Sequence, residues 1–417
     1  MDILHDPEIA ALRETLQKNA AHGKYLVSDL IREDGGKTYQ FVDLVMEGGG
    51  TLGIALVGYI YALEQAGIRF LSVGGSSVGA IVSLLLACCG RRVEEKGAAL
   101  AQLIADMDMN SFVDGGLFCG ALSRLLGSGD AGRKKLRVAL LGLLSSPTLF
   151  KKLGLNPGDS FLAWLTGCLA GYGIHTMADA VREIEYVPAD LIHRQRGLGP
   201  VLVELKLVAA DLTTSSKVVF PEMAPLYWKE PALVNPALFA RASMSVPGFF
   251  QPMEVTGVSA IVNSSANWAR LCSFSGEVPD RITFSDGGLL SNFPISLFHQ
   301  SGVPDAPTFG ARLGYASRVV SEIDSLGGYA ENLFNTLRHN SDYDFIYNNP
   351  DYRYLITYIP THGHNWLNFH MTDAEKLALF KKGMTAAHSF LETFDWPAYK
   401  EIRRVQHTAT CAMTSHT

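Results

Sequence analysis

Charge is scarce in this chain of 417 residues: only 18% are Asp, Glu, Lys or Arg, and the formal net charge is -6. Without a basic excess, no nucleic-acid partner is expected. Long apolar runs are also missing. Stretches such as residues 80–89 fall far short of the ~20 residues a bilayer-spanning helix needs. The opening MDILHD has no basic segment leading into an apolar one, so no cleavable secretory signal is read there. The expected location is the cytoplasm or a membrane periphery, with export by a signal-less route left open. The six cysteines include no CxxC pair, and Cys88 and Cys89 are neighbours on one predicted helix. They read as reduced structural thiols. No internal repeat and no low-complexity linker divides the chain. The expected organisation is an N-terminal extension over 1–40, a catalytic core over 41–300 with a helical insertion at about 91–200, and a closing region of the same domain over 301–417.

Apolar residues and glycine are plentiful: 47% hydrophobic, with 40 glycines. Little charge and much apolar surface suit a wide buried sheet. A strand over 41–46 leads into a glycine loop, then a helix over 54–66 that stops at Gly67. A second strand over 69–73 leads to a helix over 80–89. This is the βαβ pattern of a parallel sheet. Further strands are expected over 202–209, 218–220, 282–285 and 354–359. A closing helix over 373–394 has Thr372 and Glu375 spaced as a capping box. The tail from Gln406 reads as frayed.

The first glycine loop is Gly48-Gly49-Gly50-Thr51-Leu52-Gly53. It matches GxGxxG, but a dinucleotide site also needs an acid at the end of the next strand, and that strand ends Val73-Gly74-Gly75-Ser76. The other use of such a loop is to present bare backbone N–H groups to an oxyanion. The second loop, Gly75-Ser76-Ser77-Val78-Gly79, is a G-x-S-x-G on a strand-to-helix turn. That shape lifts a serine hydroxyl out of a sheet, and glycine fits the crowded flanks. Ser77 is the candidate nucleophile. One βα unit separates the two loops, which places them side by side at the carboxyl edge of the sheet.

A nucleophilic serine needs a base. One candidate is Asp286, at a strand end and followed by Gly287 and Gly288. The other is a histidine: Ser77, Asp286 and His364 stand in the chain order of a hydrolase triad. His362, His364 and His370 read as surface-loop residues without metal-ligand spacing, so no metal is expected.

Three ordered segments, EGGGTLG (47–53), GSSVG (75–79) and DGGLLSNFP (286–294), resemble the patatin-like phospholipases, as do AADLTTSSKVVF (209–220), RASMSVPGFFQP (241–252) and NPGDSFLAWL (156–165). The resemblance runs from about residue 41 to 300, and 367–394 resembles bacterial members. It implies a three-layer α/β/α fold around a mostly parallel sheet. It implies a Ser77–Asp286 dyad without histidine, and an oxyanion hole from Gly48, Gly49 and Gly50, to which the amide of Val78 is added. Gly53, Gly75, Gly79, Gly287 and Gly288 complete the motifs. The implied reaction is calcium-independent, cofactor-free hydrolysis of a phospholipid or other lipid acyl ester. One departure stands out: the family usually carries Arg or Lys where this chain has Leu52. Two alternatives remain open, a Ser-Asp-His esterase and a non-catalytic lipid-binding protein. Residues 133–144 and 150–153, cations beside apolar runs, are candidate contacts with a membrane periphery. Residues 109–180 are a candidate lid, and Phe249, Phe250, Trp164 and Phe293 candidate walls of an acyl channel. Nothing in the sequence fixes an oligomeric state.

Overall fold

A computed structural model describes residues 3–116, 151–261, 264–314 and 342–414, with isolated positions between 323 and 337. The stretch 133–144, a candidate membrane contact, lies outside the described residues.

Twelve strands are formed among these residues: β1 (Leu30–Asp34), β2 (Lys37–Met46), β3 (Ile68–Ser76), β4 (Gly154–Asn156), β5 (Ile192–His193), β6 (Leu205–Asp211), β7 (Ser216–Phe220), β8 (Gly248–Phe250), β9 (Met253–Thr256), β10 (Arg281–Asp286), β11 (Thr308–Leu313) and β12 (Ile356–Ile359). The main sheet runs β12-β11-β2-β3-β6-β10-β9. Neighbours from β12 to β6 are parallel, and β10 and β9 close the sheet antiparallel. Flanking helices complete a three-layer α/β/α fold, as expected. Because β2, β3, β11 and β12 are parallel, the loops that follow them emerge at one edge.

The helices that matter for that edge are α1 (Pro7–Ala21), α2 (Gly53–Gln65), α3 (Val78–Cys88), α4 (Gly97–Asp106), α5 (Asp159–Ala170), α6 (Met177–Ile184) and α7 (Ala237–Ser243). α2 is buried on every face, and so is most of α3, consistent with their mostly apolar sequences. Gly67 ends the α2 segment at φ +79°, and the Thr372–Glu375 capping box opens the helix Asp373–Thr393. Cys88 and Cys89 are free thiols whose pKa values burial pushes up to about 12, as suits inert core groups.

Several local readings differ, among them a strand start, an unexpected strand and a helix end. β2 begins at Lys37 because Gly35 and Gly36, both at positive φ, turn the chain into a hairpin with β1. β11 was not anticipated: its sequence TFGARL lacks alternation, yet it pairs on both sides. The C-terminal helix Trp396–Thr414 passes the expected fray point, anchored by Lys400 on Asp29 at 2.5 Å and Arg403 on Asp351 at 3.0 Å.

Two buried acids make stability pH-dependent. Burial raises Asp43 and Glu64 each to about 7. Their folded pKa values lie above the ordinary carboxyl values, so the stability they contribute is full below about pH 4 and is lost as pH rises through about 7. Asp43→Asn should therefore melt higher than wild type at pH 8 and level with it at pH 4. Thermal melts at the two pH values check this, and an equal difference at both would contradict it.

Candidate active site

The strand β3 ends at Ser76, and Ser77 makes the turn into α3 at φ +52° and ψ -123°. Non-glycine residues occupy that region only under constraint. The constraint is visible: the Ser77 N–H donates to Ser243 Oγ at 2.8 Å, and Ser243 Oγ donates to the Val208 carbonyl at 2.5 Å. The turn also needs bare neighbours. A Cβ on Gly79 would fall 2.3 Å from the Met46 carbonyl oxygen, so β2 and α3 approach only because position 79 is glycine. Ser77 is 5% exposed.

The glycine loop lies directly against this turn. A Cβ on Gly48 would sit 3.0 Å from Ser77 Cβ, and one on Gly53 would strike the Val78 side chain. The Gly48 N–H donates to the Asn292 carbonyl at 2.9 Å and is thereby engaged. The N–H groups of Gly49, Gly50 and Val78 donate to no acceptor among the described residues. Gly50, at φ +54°, is pressed against the Trp366 carbonyl, where a Cβ would come within 2.2 Å. That same carbonyl accepts from the Thr51 N–H at 2.9 Å.

Asp286 reaches the same place from β10. Ser76 pairs with Val208 on β6, and Asp286 pairs with Ala209, the next residue. Ser77 and Asp286 thus flank one level of β6, two inter-strand spacings apart, or about 9–10 Å between backbones. The chain after Asp286 folds inward: a Cβ on Gly287 would lie 2.6 Å from Ser76 Oγ. Asp286 is 3% exposed, Oδ1 accepts from Gly288 N–H at 2.7 Å, and its own N–H donates to the Ser245 carbonyl at 2.9 Å. Ser243 and Ser245, at the end of α7, therefore hold the serine turn and the aspartate strand at once. The sequence showed them only as part of the RASMS stretch; no short-range pattern announces such a role.

From Ser77 a cavity of about 750 Å³, its open mouth included, runs into the apolar interior. Val78, Ile81, Val82 and Leu85 form one wall, a single face of α3 extending about 10 Å. Ile104, Met107, Met109 and Phe112 line the cavity as well, Phe112 packing on Phe161 and Trp164 of α5. Met244, Val246, Phe250, Trp366, Leu367 and Phe369 also line it. Among the described residues, Thr51 and Ser77 bring the wall's hydroxyls, both at the glycine-loop end. Of the expected channel residues, Phe250 and Trp164 line it. Phe249 stacks behind the wall on Phe369, with ring centroids 4.7 Å apart, and Phe293 packs by Gly310 under Arg312. Residues 117–150 of the expected lid lie outside the described residues, and Met109, Phe112, Phe161 and Trp164 from its remainder are wall.

His362, His364 and His370 lie on the loop after β12, the loop that also carries Trp366, Leu367 and Phe369, but none of the three histidines is among the residues lining the cavity. Burial lowers the pKa of His364. Among the described residues no His/Cys/Asp/Glu group has the grouping of a metal site.

A family model described as Patatin-like phospholipase matches residues 44–299, which span both glycine loops and Asp286. The chain belongs to the patatin-like phospholipase family. YqhO, an uncharacterized Bacillus subtilis protein, is 27% identical over 365 residues, 85% of this chain and all of that protein. The lysophospholipase nte1 of Aspergillus niger is 52% identical over 46 residues, 11% of this chain and 3% of that one. Among solved structures, VipD from Legionella pneumophila aligns with TM-score 0.44 and 15% identity over 88% of this chain and 71% of that chain. A chain of the ExoU–SpcU complex from the type III secretion system of Pseudomonas aeruginosa aligns with TM-score 0.36 and 18% identity, covering 90% and 60%.

Proposed function

We propose that this patatin-like protein hydrolyses lipid acyl esters, as a phospholipase A or lysophospholipase does, through an acyl-enzyme on Ser77. The observation that carries the reading is the apolar cavity whose hydroxyl-bearing end is Ser77. An acyl chain has no polar group to satisfy along its length, and this wall offers almost none.

The reaction follows from the groups at the mouth. Ser77 Oγ attacks the ester carbonyl as its proton passes to Asp286 across the Ala209 level of the sheet. Negative charge on the carbonyl oxygen meets the N–H groups of Gly49, Gly50 and Val78, the last at the N-terminus of α3. Gly48, its amide already donated to Asn292, anchors the loop. The tetrahedral adduct collapses, Asp286 returns the proton to the departing alcohol, and water activated by Asp286 releases the fatty acid. No step draws on calcium, so turnover should persist in chelator. A histidine triad fits less well, since its imidazole must bridge serine and acid, and none of His362, His364 and His370 is among the residues lining the cavity at Ser77. For the membrane periphery, Lys151 and Lys152 beside Leu153, which is 58% exposed, form a basic and apolar contact point.

A chain-length series of p-nitrophenyl esters tests the cavity. Each methylene buried along α3 is worth about 0.8 kcal/mol, roughly fourfold in kcat/KM, until the channel is full. Leu85→Trp, at the far end of the α3 wall, should spare short esters and depress long ones. A preference for acetate, or a Leu85→Trp profile identical to wild type, would overturn the assignment.

A further inference from the structure

The residue before the glycines, Glu47, is a carboxylate only 1% exposed. Its Oε2 accepts from the Leu313 N–H at 2.6 Å, and its Oε1 from Arg312 Nε at 3.3 Å and Asn292 Nδ2 at 3.2 Å. Asn292 Nδ2 donates as well to the Gly48 carbonyl at 3.2 Å, and the Asn292 carbonyl accepts the Gly48 N–H at 2.9 Å. The Gly48 residue is thus gripped on both its polar atoms by one asparagine, and that asparagine is held by Glu47. In a trans peptide the carbonyl and the next N–H point to opposite sides. Drawing the Gly48 carbonyl toward Asn292 therefore turns the Gly49 N–H the other way, clear of the clamp.

Arg312 closes the network from β11. Its guanidinium lies against the rings of Phe293 and Tyr358, at 5.6 and 5.8 Å from their centroids, so its direction is set by packing as well as by charge. Position 52 cannot share this work, because Leu52 is an apolar side chain buried in the core.

We infer that Arg312 is a positioning residue for the oxyanion loop, acting through Glu47 and Asn292 to fix the orientation of the Gly49 amide. The inference rests on the acyl-transfer reading above. It supplies, from a strand about 260 residues away in sequence, the cationic support that the glycine loop itself lacks at position 52.

The test uses the full chain with Arg312→Gln, Arg312→Lys and Glu47→Gln, active sites being counted with a long-chain fluorophosphonate. Arg312→Gln and Glu47→Gln should each lower kcat about tenfold or more while KM for a medium-chain ester stays nearly constant, as misdirection of an oxyanion donor requires. Affinity for an alkyl trifluoromethyl ketone, which binds as a tetrahedral oxyanion, should fall by the same factor. Affinity for a fatty alcohol that only fills the cavity should not change. Arg312→Lys, which keeps the charge, should recover part of kcat. If both glutamine variants keep wild-type kcat per active site, or lose fatty-alcohol and ketone binding alike, Arg312 is a structural brace and the inference falls while the acyl-transfer reading stands. Should Arg312→Gln not fold, Glu47→Gln carries the same decision with a near-isosteric change. If wild type neither hydrolyses esters nor takes up the phosphonate, the reading falls and takes the inference with it.

Discussion

Ser77→Gly is expected to give a protein that is inactive and more stable than wild type. The backbone at Ser77, φ +52° and ψ -123°, is one that glycine reaches freely and other residues reach at a cost of about 1–3 kcal/mol. Glycine removes that cost, while the added freedom of the unfolded chain returns about 0.4–1 kcal/mol. A net gain of about 1 kcal/mol remains, and it should raise Tm by about 1–2 °C in a chain this long. The hydrogen bond from the residue 77 N–H to Ser243 is kept, because it uses the backbone. Activity should fall by about 10⁴-fold or more with the loss of the nucleophile. Ser77→Ala separates the two effects: it should be equally inactive but melt close to wild type, since alanine keeps the strain. A Ser77→Gly protein that melts lower than Ser77→Ala would show that the turn stores no strain.

Asp286→Asn has the second large effect. The amide keeps the shape and an oxygen for the Gly288 N–H, so the turn after β10 should hold. What it loses is the capacity to accept the serine proton, and kcat should drop by about 10²–10⁴-fold, the usual range for a general base. His364→Ala is the matching control, expected to keep the wild-type rate. Steady-state rates on one medium-chain ester decide the matter. Loss of activity in His364→Ala as well would favour the Ser77–Asp286–His364 triad, and full activity in Asp286→Asn would remove Asp286 from the reaction altogether.

The parts legible in the sequence are those encoded locally. The β2-loop-α2 and β3-turn-α3 units each lie within some 30 consecutive residues, and apolar runs with glycine punctuation mark them without tertiary help. Parallel pairing then brings the two loops together. What stayed hidden depends on long-range contacts. Glu47 meets Asn292 and Arg312 across 245 and 265 residues, and nothing near any one of them signals the others. β11 carries Gly310 and Ala311, residues depleted in strands, and Phe293 and Ile295 pack where a Gly310 side chain would be, while Arg312 stands beside Glu47. Part of the cavity lining comes from Trp366, Leu367 and Phe369, on a loop whose histidines, and not these residues, drew the candidate roles in the sequence. The engagement of the Gly48 amide by Asn292 was equally invisible, since a run of three glycines does not say which amide is left over.

The most direct test of the central claim is the site of covalent capture. Wild-type protein is incubated with a long-chain alkyl fluorophosphonate in the presence of chelator, digested, and the modified peptide mapped by mass spectrometry. One phosphonyl group on Ser77, absent from Ser77→Ala and slowed in Asp286→Asn, is the predicted result. Capture at another residue, or none while the wild-type protein hydrolyses esters, would contradict an acyl-enzyme on Ser77.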